Sequence, residues 1–275
     1  MMARLLFIGL LLTLTYFSAG AYLLVNQLPA YLFPSTELTV KSTELAQFKV
    51  TDPFNNELVV REYGAADGQC IVFFPGRHGG VKRYEQELIT PLNNRHFKVF
   101  MISYPGQDGA AGHLKSILQL VNLIDNAILS IEVKCSPKRT IFWGRSLGAT
   151  LAAYTAQRVT VRGLILEGVS PSLSLAVENF LGSKWYLTPL KLLPIAELLP
   201  HDYKLQHSFS ALNQMPINIF QGTNDLQTPL SQLQQRWRYG ENVSLHIVKG
   251  GSHSDTYKRS LSEMMAVATQ MLSPQ

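Results

Sequence analysis

After residue 70 the chain is punctuated by short, unbroken apolar runs, each closed by glycine, proline or a polar turn. They are Ile71-Val72-Phe73-Phe74, Val99 to Tyr104, Ile141-Phe142-Trp143, Leu164 to Glu167 and Ile217 to Phe220. Leu245 to Val248 is a sixth and alternates more. Strands without a polar face need cover on both sides, which is the condition of a buried, mostly parallel sheet. Helical spacing fills the intervals at about 81–95, 113–132, 147–158, 230–239 and 254–272. The chain is therefore expected to be α/β, with a mostly parallel central sheet flanked by helices. Upstream, residues 47–50 and 58–63 flank Pro53-Phe54-Asn55-Asn56 and predict an antiparallel hairpin. The proline-bearing stretch 171–216 reads as a small helical lid inserted into the domain, not as a second domain.

Composition supports a packed body. Of 275 residues, 46% are hydrophobic and 16% charged, which excludes a chain that is disordered over most of its length. Cys70 and Cys135 are the only cysteines, which excludes a disulfide-dense scaffold and a cysteine-based zinc module. The net charge of +5 is spread thinly, with basic pairs such as Lys82-Arg83 and Lys138-Arg139 as the longest tracts. A nucleic-acid surface requires clustered basic residues, so no nucleic-acid partner is expected.

Chemistry concentrates first at Gly144-Arg145-Ser146-Leu147-Gly148. The five-residue G-x-S-x-G pattern is weak alone. Here an apolar strand precedes it and the small-residue stretch Ala149 to Tyr154 follows, giving the strand, sharp turn and helix that expose a serine hydroxyl. Such a hydroxyl needs a base, and the base needs an orienting acid. In this kind of fold the chain order is serine, acid, histidine. Asp225 follows the run at 217–220 and His253 follows the run at 245–248, each on a loop beyond a strand end. Glu167 is a rival acid, or simply a polar strand end. Asp255 is expected to cap the last helix and His246 to be structural. His78 and His113 precede the serine and are out of order as bases, although His78 could touch a substrate. For the oxyanion hole, the backbone N–H of Leu147 and one from Pro75-Gly76-Arg77-His78 are expected, with Arg77 preferred.

From about residue 45 onward the chain resembles the α/β-hydrolase superfamily. The ordered elements that carry the resemblance are Phe-Phe-Pro-Gly at 73–76, Ser103-Tyr104-Pro105-Gly106, Gly-Arg-Ser-Leu-Gly, Gln-Gly-Thr-x-Asp-x-x-x-Pro at 221–229 and Gly-x-x-His at 250–253. Together with the N-terminal segment they look like its membrane-anchored serine hydrolase group, which includes esterases, depalmitoylases and peptidase-like relatives. The resemblance implies Ser146 as nucleophile, Asp225 as acid and His253 as base. Two departures stand out: Pro75-Gly76-Arg77 where the group usually has His-Gly-Asn, and Gln221-Gly222 where it has His-Gly. The implied fold makes the strands near Cys70 and Cys135 neighbours, so these residues are either a disulfide or two free thiols.

The first 36 residues form a separate object. Leu5 to Val25 is an uncharged stretch of 21 residues, about the length a helix needs to cross a hydrocarbon core. Arg4 precedes it and no Lys or Arg follows until Lys41, which predicts a cytoplasmic N-terminus and a catalytic body on the other side. Ala19-Gly20-Ala21 also fits a signal-peptide cleavage site, which would make the body secreted. The apolar run continues past that site and favours an anchor. Residues 26–36 read as a stiff connector and 37–275 as the hydrolase domain.

Three functions are compatible with this pattern: a serine hydrolase of acyl esters or thioesters, a peptidase of the same architecture, and a silent relative that binds a ligand or partner. The intact serine, acid and histidine set disfavours the silent relative, and the lack of a large N-terminal gating domain disfavours the peptidase. The substrate is then a small-molecule or lipidic acyl compound, and the mechanism calls for no cofactor or metal. The lid's Leu173, Leu175, Val177, Phe180, Leu181, Trp185, Tyr186, Leu187 and Leu190 either line an acyl pocket or pack the lid onto the body.

Overall fold

The computed structural model describes residues 1–36, 46–236 and 240–273. The expected start of the body at 37 and the end of the helix expected at 230–239 lie outside the described residues. Eight strands form one sheet: β1 (Gln47–Thr51), β2 (Glu57–Tyr63), β3 (Gln69–Phe74), β4 (Phe97–Ser103), β5 (Thr140–Arg145), β6 (Leu164–Glu167), β7 (Ile217–Gly222) and β8 (Val243–Val248). Their spatial order is β1-β2-β4-β3-β5-β6-β7-β8. β1 and β2 form the antiparallel hairpin, with Gln47 opposite Arg61 and Thr51 opposite Glu57. From β4 to β8 all neighbours run parallel.

The continuous apolar runs are explained by the two faces they serve. Along β3, Val72 and Phe74 join the core beneath the helices Ile117–Glu132 and Leu147–Thr155. Ile71 and Phe73 point the other way, into a second core that also holds Tyr84, Leu88, Tyr257 and Met264. Period-two alternation thus places every second residue of a wholly apolar strand in a different core. Helix Ile117–Glu132 starts on a capping box in which Ser116 accepts from the Gln119 N–H and the Gln119 side chain returns to Ser116. The helical stretch 81–93 is interrupted by an i→i+5 segment at Glu85–Ile89. Pro91 follows it, and its missing N–H leaves Glu87 without the regular partner.

One segment differs from the sequence expectation, and the lid is helical as expected. The connector is helical: α1 (Met2–Asn26) runs straight into α2 (Leu28–Leu32), and Leu24, Leu28, Leu32 and Phe33 enter the main core. Apolar spacing at 24, 28 and 32 puts these side chains on one helix face, which docks in preference to staying extended. The lid contains helices Leu173–Gly182, Ile195–Leu198 and Leu205–Ala211. Leu173, Val177, Leu181 and Leu190 join the main core and Leu175 is also buried, so most of its apolar residues are packing. Trp185 and Tyr186 are exposed.

Cys70 and Cys135 are joined as a disulfide, with Cα atoms 6.5 Å apart. Thr140 lies beside Cys70 in the β3–β5 register, so the loop before β5 brings Cys135 to the same sheet end.

Candidate active site

The strand β5 ends at Arg145 and the next helix begins at Leu147, leaving Ser146 alone to reverse the chain. It does so at φ 54° and ψ −122°, a region that a residue with a Cβ rarely occupies. The two flanking glycines make this turn possible. A Cβ on Gly144 would lie 2.5 Å from the Ala149 Cα, and one on Gly148 would lie 2.1 Å from the Phe74 carbonyl oxygen. The Ser146 N–H donates to the Glu167 carbonyl at 2.7 Å, which ties the turn to β6.

His253 and Asp225 arrive from the loops after β8 and β7. Asp225 can only accept, so the His253 Nδ1–H donates to its Oδ2 at 2.8 Å. That leaves Nε2 bare, and the Ser146 hydroxyl donates to it across 2.9 Å. Asp225 is buried, with Thr228 supplying an Oγ1–H at 2.7 Å and a backbone N–H at 2.8 Å. The Gln227 N–H donates to the same carboxylate at 2.9 Å. Burial alone would raise this carboxyl group, but His253 and Thr228 outweigh it and hold it below the usual carboxylate value. Gln221, which stands where the resemblance leads one to expect histidine, donates to Thr228 and to Asp225. It therefore braces the acid loop from below.

Glu167 is placed behind this row. Its Oε1 accepts from the Arg145 Nε at 3.4 Å and the Tyr257 N–H at 3.1 Å, while Oε2 has no hydrogen-bond partner among the described residues. Full burial pushes its carboxyl up to about 7, against the pull of Arg145. Gly168 lies between Glu167 and His253: a Cβ there would be 3.3 Å from the His253 ring. Arg145 donates to the Tyr84 hydroxyl at 2.7 Å and to the His253 carbonyl at 2.8 Å.

The loop after β3 passes close to the serine, since a Cβ on Gly76 would sit 3.5 Å from the Ser146 Cβ. Among the described residues, the backbone N–H groups of Arg77 and Leu147 have no intramolecular acceptor. The loop is held at several points. The Tyr104 hydroxyl donates to the Pro75 carbonyl at 3.0 Å, and the Gln107 amide to the Arg77 carbonyl at 2.6 Å. Gly79 and Gly80 both adopt positive φ, and the Asp108 carboxylate accepts from the Gly80 N–H at 3.0 Å. The Arg77 side chain turns to α2, where it donates to the Tyr31 carbonyl at 2.7 Å and stacks 3.8 Å over the Tyr31 ring. His78 is exposed.

The other rivals are occupied elsewhere. His246 stacks on Phe220 and bonds Asn218 and Glu263. Asp255 does sit at the N-cap position of helix Thr256–Leu272, but its side chain makes no cap bond. It accepts from Ser252 and Arg259 instead, which stiffens the loop carrying His253. No group of His, Cys, Asp and Glu suited to a metal ion occurs among the described residues. A cleft of about 770 Å³, lined by Thr160, Pro216 and Asn242, lies at the opposite end of the sheet and contains none of these side chains.

Sequence reasoning missed Tyr31, Gln107, Asp108, Thr228 and Arg145. Thr228 lies within the Gln-Gly-Thr-x-Asp-x-x-x-Pro element, and Arg145 within the serine elbow, so both carried a positional signal. Tyr31 carried none.

No family model matches the chain, and no curated protein matches it in sequence. Solved structures do match. An esterase of Pyrococcus furiosus aligns over 87% of this chain and 95% of its own, with TM-score 0.66 and 13% identity. The thioesterase domain from the curacin biosynthetic pathway aligns over 84% and 100%, with TM-score 0.56 and 14% identity. A membrane phospholipase A described as a bacterial virulence factor aligns over 99% of both chains, with TM-score 0.59 and 17% identity. Eight strands in this order, with the serine elbow after β5, are the α/β-hydrolase fold, and this chain has it.

Proposed function

We propose that this protein is a serine hydrolase that cleaves acyl esters or thioesters through a covalent acyl-enzyme. The observation that carries the reading is the unbroken hydrogen-bonded row from Ser146 through His253 to Asp225, with the serine held in a strained backbone. The Ser146 oxygen attacks the substrate carbonyl carbon while its proton passes to the His253 Nε2. Asp225 keeps Nδ1 protonated and stabilises the imidazolium. The oxygen that becomes negative faces the N–H groups of Leu147 and Arg77. Collapse expels the alcohol or thiol, which takes the proton from Nε2. Water then repeats the sequence: His253 removes its proton, its oxygen attacks the acyl carbon, and Ser146 leaves reprotonated. No step calls for a cofactor.

The reading includes a lipidic or small-molecule acyl substrate and a membrane anchor spanning Leu5 to Val25. Three features support the anchor over a cleaved leader. The apolar run continues beyond Ala21, α1 is exposed and apolar over its first half, and Leu24 is packed into the core. Residues 37–275 would then form the hydrolase domain on the non-cytoplasmic side, where a Cys70–Cys135 disulfide persists.

A fluorophosphonate probe is expected to label the wild type and not Ser146→Ala. Absence of labelling on folded protein would overturn the reading. A chain-length series of acyl esters, set against thioesters and peptides, then separates the substrate classes. Extraction of membranes with alkaline carbonate tests the anchor: the chain is expected to stay with the lipid.

A further inference from the structure

The lid meets α1 partway along its length. The Tyr16 hydroxyl donates to the Tyr186 carbonyl at 2.5 Å. One turn later Gly20 receives the lid so closely that a Cβ there would lie 2.3 Å from a methyl carbon of Leu190. Residues before Tyr16 are exposed on all sides.

This contact sets a ruler. The free part of α1, Met2 to Thr15, measures roughly 21 Å at about 1.5 Å per residue, short of a hydrocarbon core of about 30 Å. The helix nevertheless stays apolar and uncharged to Val25. Beyond the lid contact, Tyr22, Leu23 and Val25 are still 61%, 55% and 43% exposed. A bilayer long enough to cover these residues must also reach the part of the lid that stands beside them.

The lid there is dressed for such contact. Trp185 is 86% exposed, Leu192 81% exposed and Tyr186 53% exposed. Lys184 precedes Trp185, Lys191 precedes Leu192, and both lysines are exposed too. Trp and Tyr favour the membrane–water boundary, and lysine stems reach through it to the headgroups. In water this cluster would be an unpaid apolar surface, whereas beside a spanning helix it continues the helix's own lipid-facing side.

We infer that the lid segment 184–192 is a second membrane contact, immersed in the lipid boundary through Trp185, Tyr186 and Leu192. The inference rests on the reading of Leu5–Val25 as a membrane span. It gives the membrane a direct seat on the site: the same lid carries Phe180, whose ring lies 4.6 Å from Tyr31, the residue that holds Arg77. It also carries Asn179, which donates to the Gln227 carbonyl beside Asp225.

The test uses the full-length chain in phosphatidylcholine vesicles carrying acyl-brominated lipid. Subtracting the emission of Trp185→Phe from the wild type isolates Trp185. Its emission is expected to be lost to bromines near the upper acyl chain and to be protected from aqueous iodide. Leu192→Glu is expected to keep turnover of a soluble ester and lose turnover of vesicle lipid. A chain that resists carbonate extraction but leaves Trp185 open to iodide and unaffected by bromine overturns this inference and spares the anchor. Release by carbonate overturns the anchor, and this inference with it. Shielding from both quenchers that grows with protein density means a second copy covers the patch, and also overturns it.

Discussion

The Arg145 guanidinium donates to the main-chain carbonyl of His253 at 2.8 Å. The residue immediately before the serine therefore also carries the loop of the candidate base. The same side chain faces Glu167 and lies over the Tyr257 ring, 4.9 Å from its centre. One buried cation thus ties β5, β6 and the loop after β8 into a single piece.

Arg145→Met is expected to destabilise the fold by about 3 kcal/mol, because it leaves a buried carboxyl group without its cation. Turnover should fall more than KM rises, since the His253 loop loses its tether while the substrate-facing groups remain. Adding Glu167→Gln should recover part of the lost stability. Denaturant titrations of the single and double variants measure this, and simple additivity would refute the coupling.

Glu167 also makes stability depend on pH. Its carboxyl titrates near 7 in the fold against 4.5 as an ordinary glutamate, so between these values the folded state holds a proton that the unfolded chain has released. Stability from this group is full below about 4.5 and declines as pH rises through about 7. Glu167→Gln is expected to flatten that decline in urea titrations across the window. It should also harm turnover far less than Asp225→Asn, because Glu167 does not touch the His253 ring nitrogens.

The serine's backbone is a place where stability and function are expected to oppose each other. At φ 54° a glycine has no side chain to strain. Ser146→Gly should raise stability by about 1 kcal/mol while abolishing turnover. A thermal scan showing Ser146→Gly less stable than Ser146→Ala would remove the case for strain.

The disulfide closes a loop with a sequence separation of 65. By the chain-entropy account this constrains the unfolded chain by about 4 kcal/mol. Replacing both Cys70 and Cys135 with alanine should lower stability by roughly 2–5 kcal/mol and leave the hydrogen-bonded row of the site unchanged. Equal denaturation midpoints for the variant and the oxidised wild type would contradict this.

Much of the architecture was legible because it is written locally. Unbroken apolar runs such as Ile71 to Phe74 announce strands covered on both faces, and Gly144 and Gly148 announce an elbow that only small residues permit. The order Ser146, Asp225, His253 could be read from loops that follow strands. What could not be read was distance. Arg77 holding Tyr31, Thr228 donating to Asp225, and Gly20 admitting Leu190 are contacts between side chains whose meeting depends on helix docking and sheet order. Asp255 illustrates the limit: its position before a helix was clear, but Ser252 and Arg259, once folded beside it, compete better for its carboxylate than the helix's own N–H groups.

The amino-acid sequence by itself determined the period of each element, the strained turn that exposes Ser146 and the uncharged length of α1. The tertiary structure decided that α2 packs instead of linking, that Cys70 reaches Cys135, and that the lid leans on α1. Those outcomes depend on which apolar faces cover one another, and burial is a property of the assembled chain, not of any segment within it.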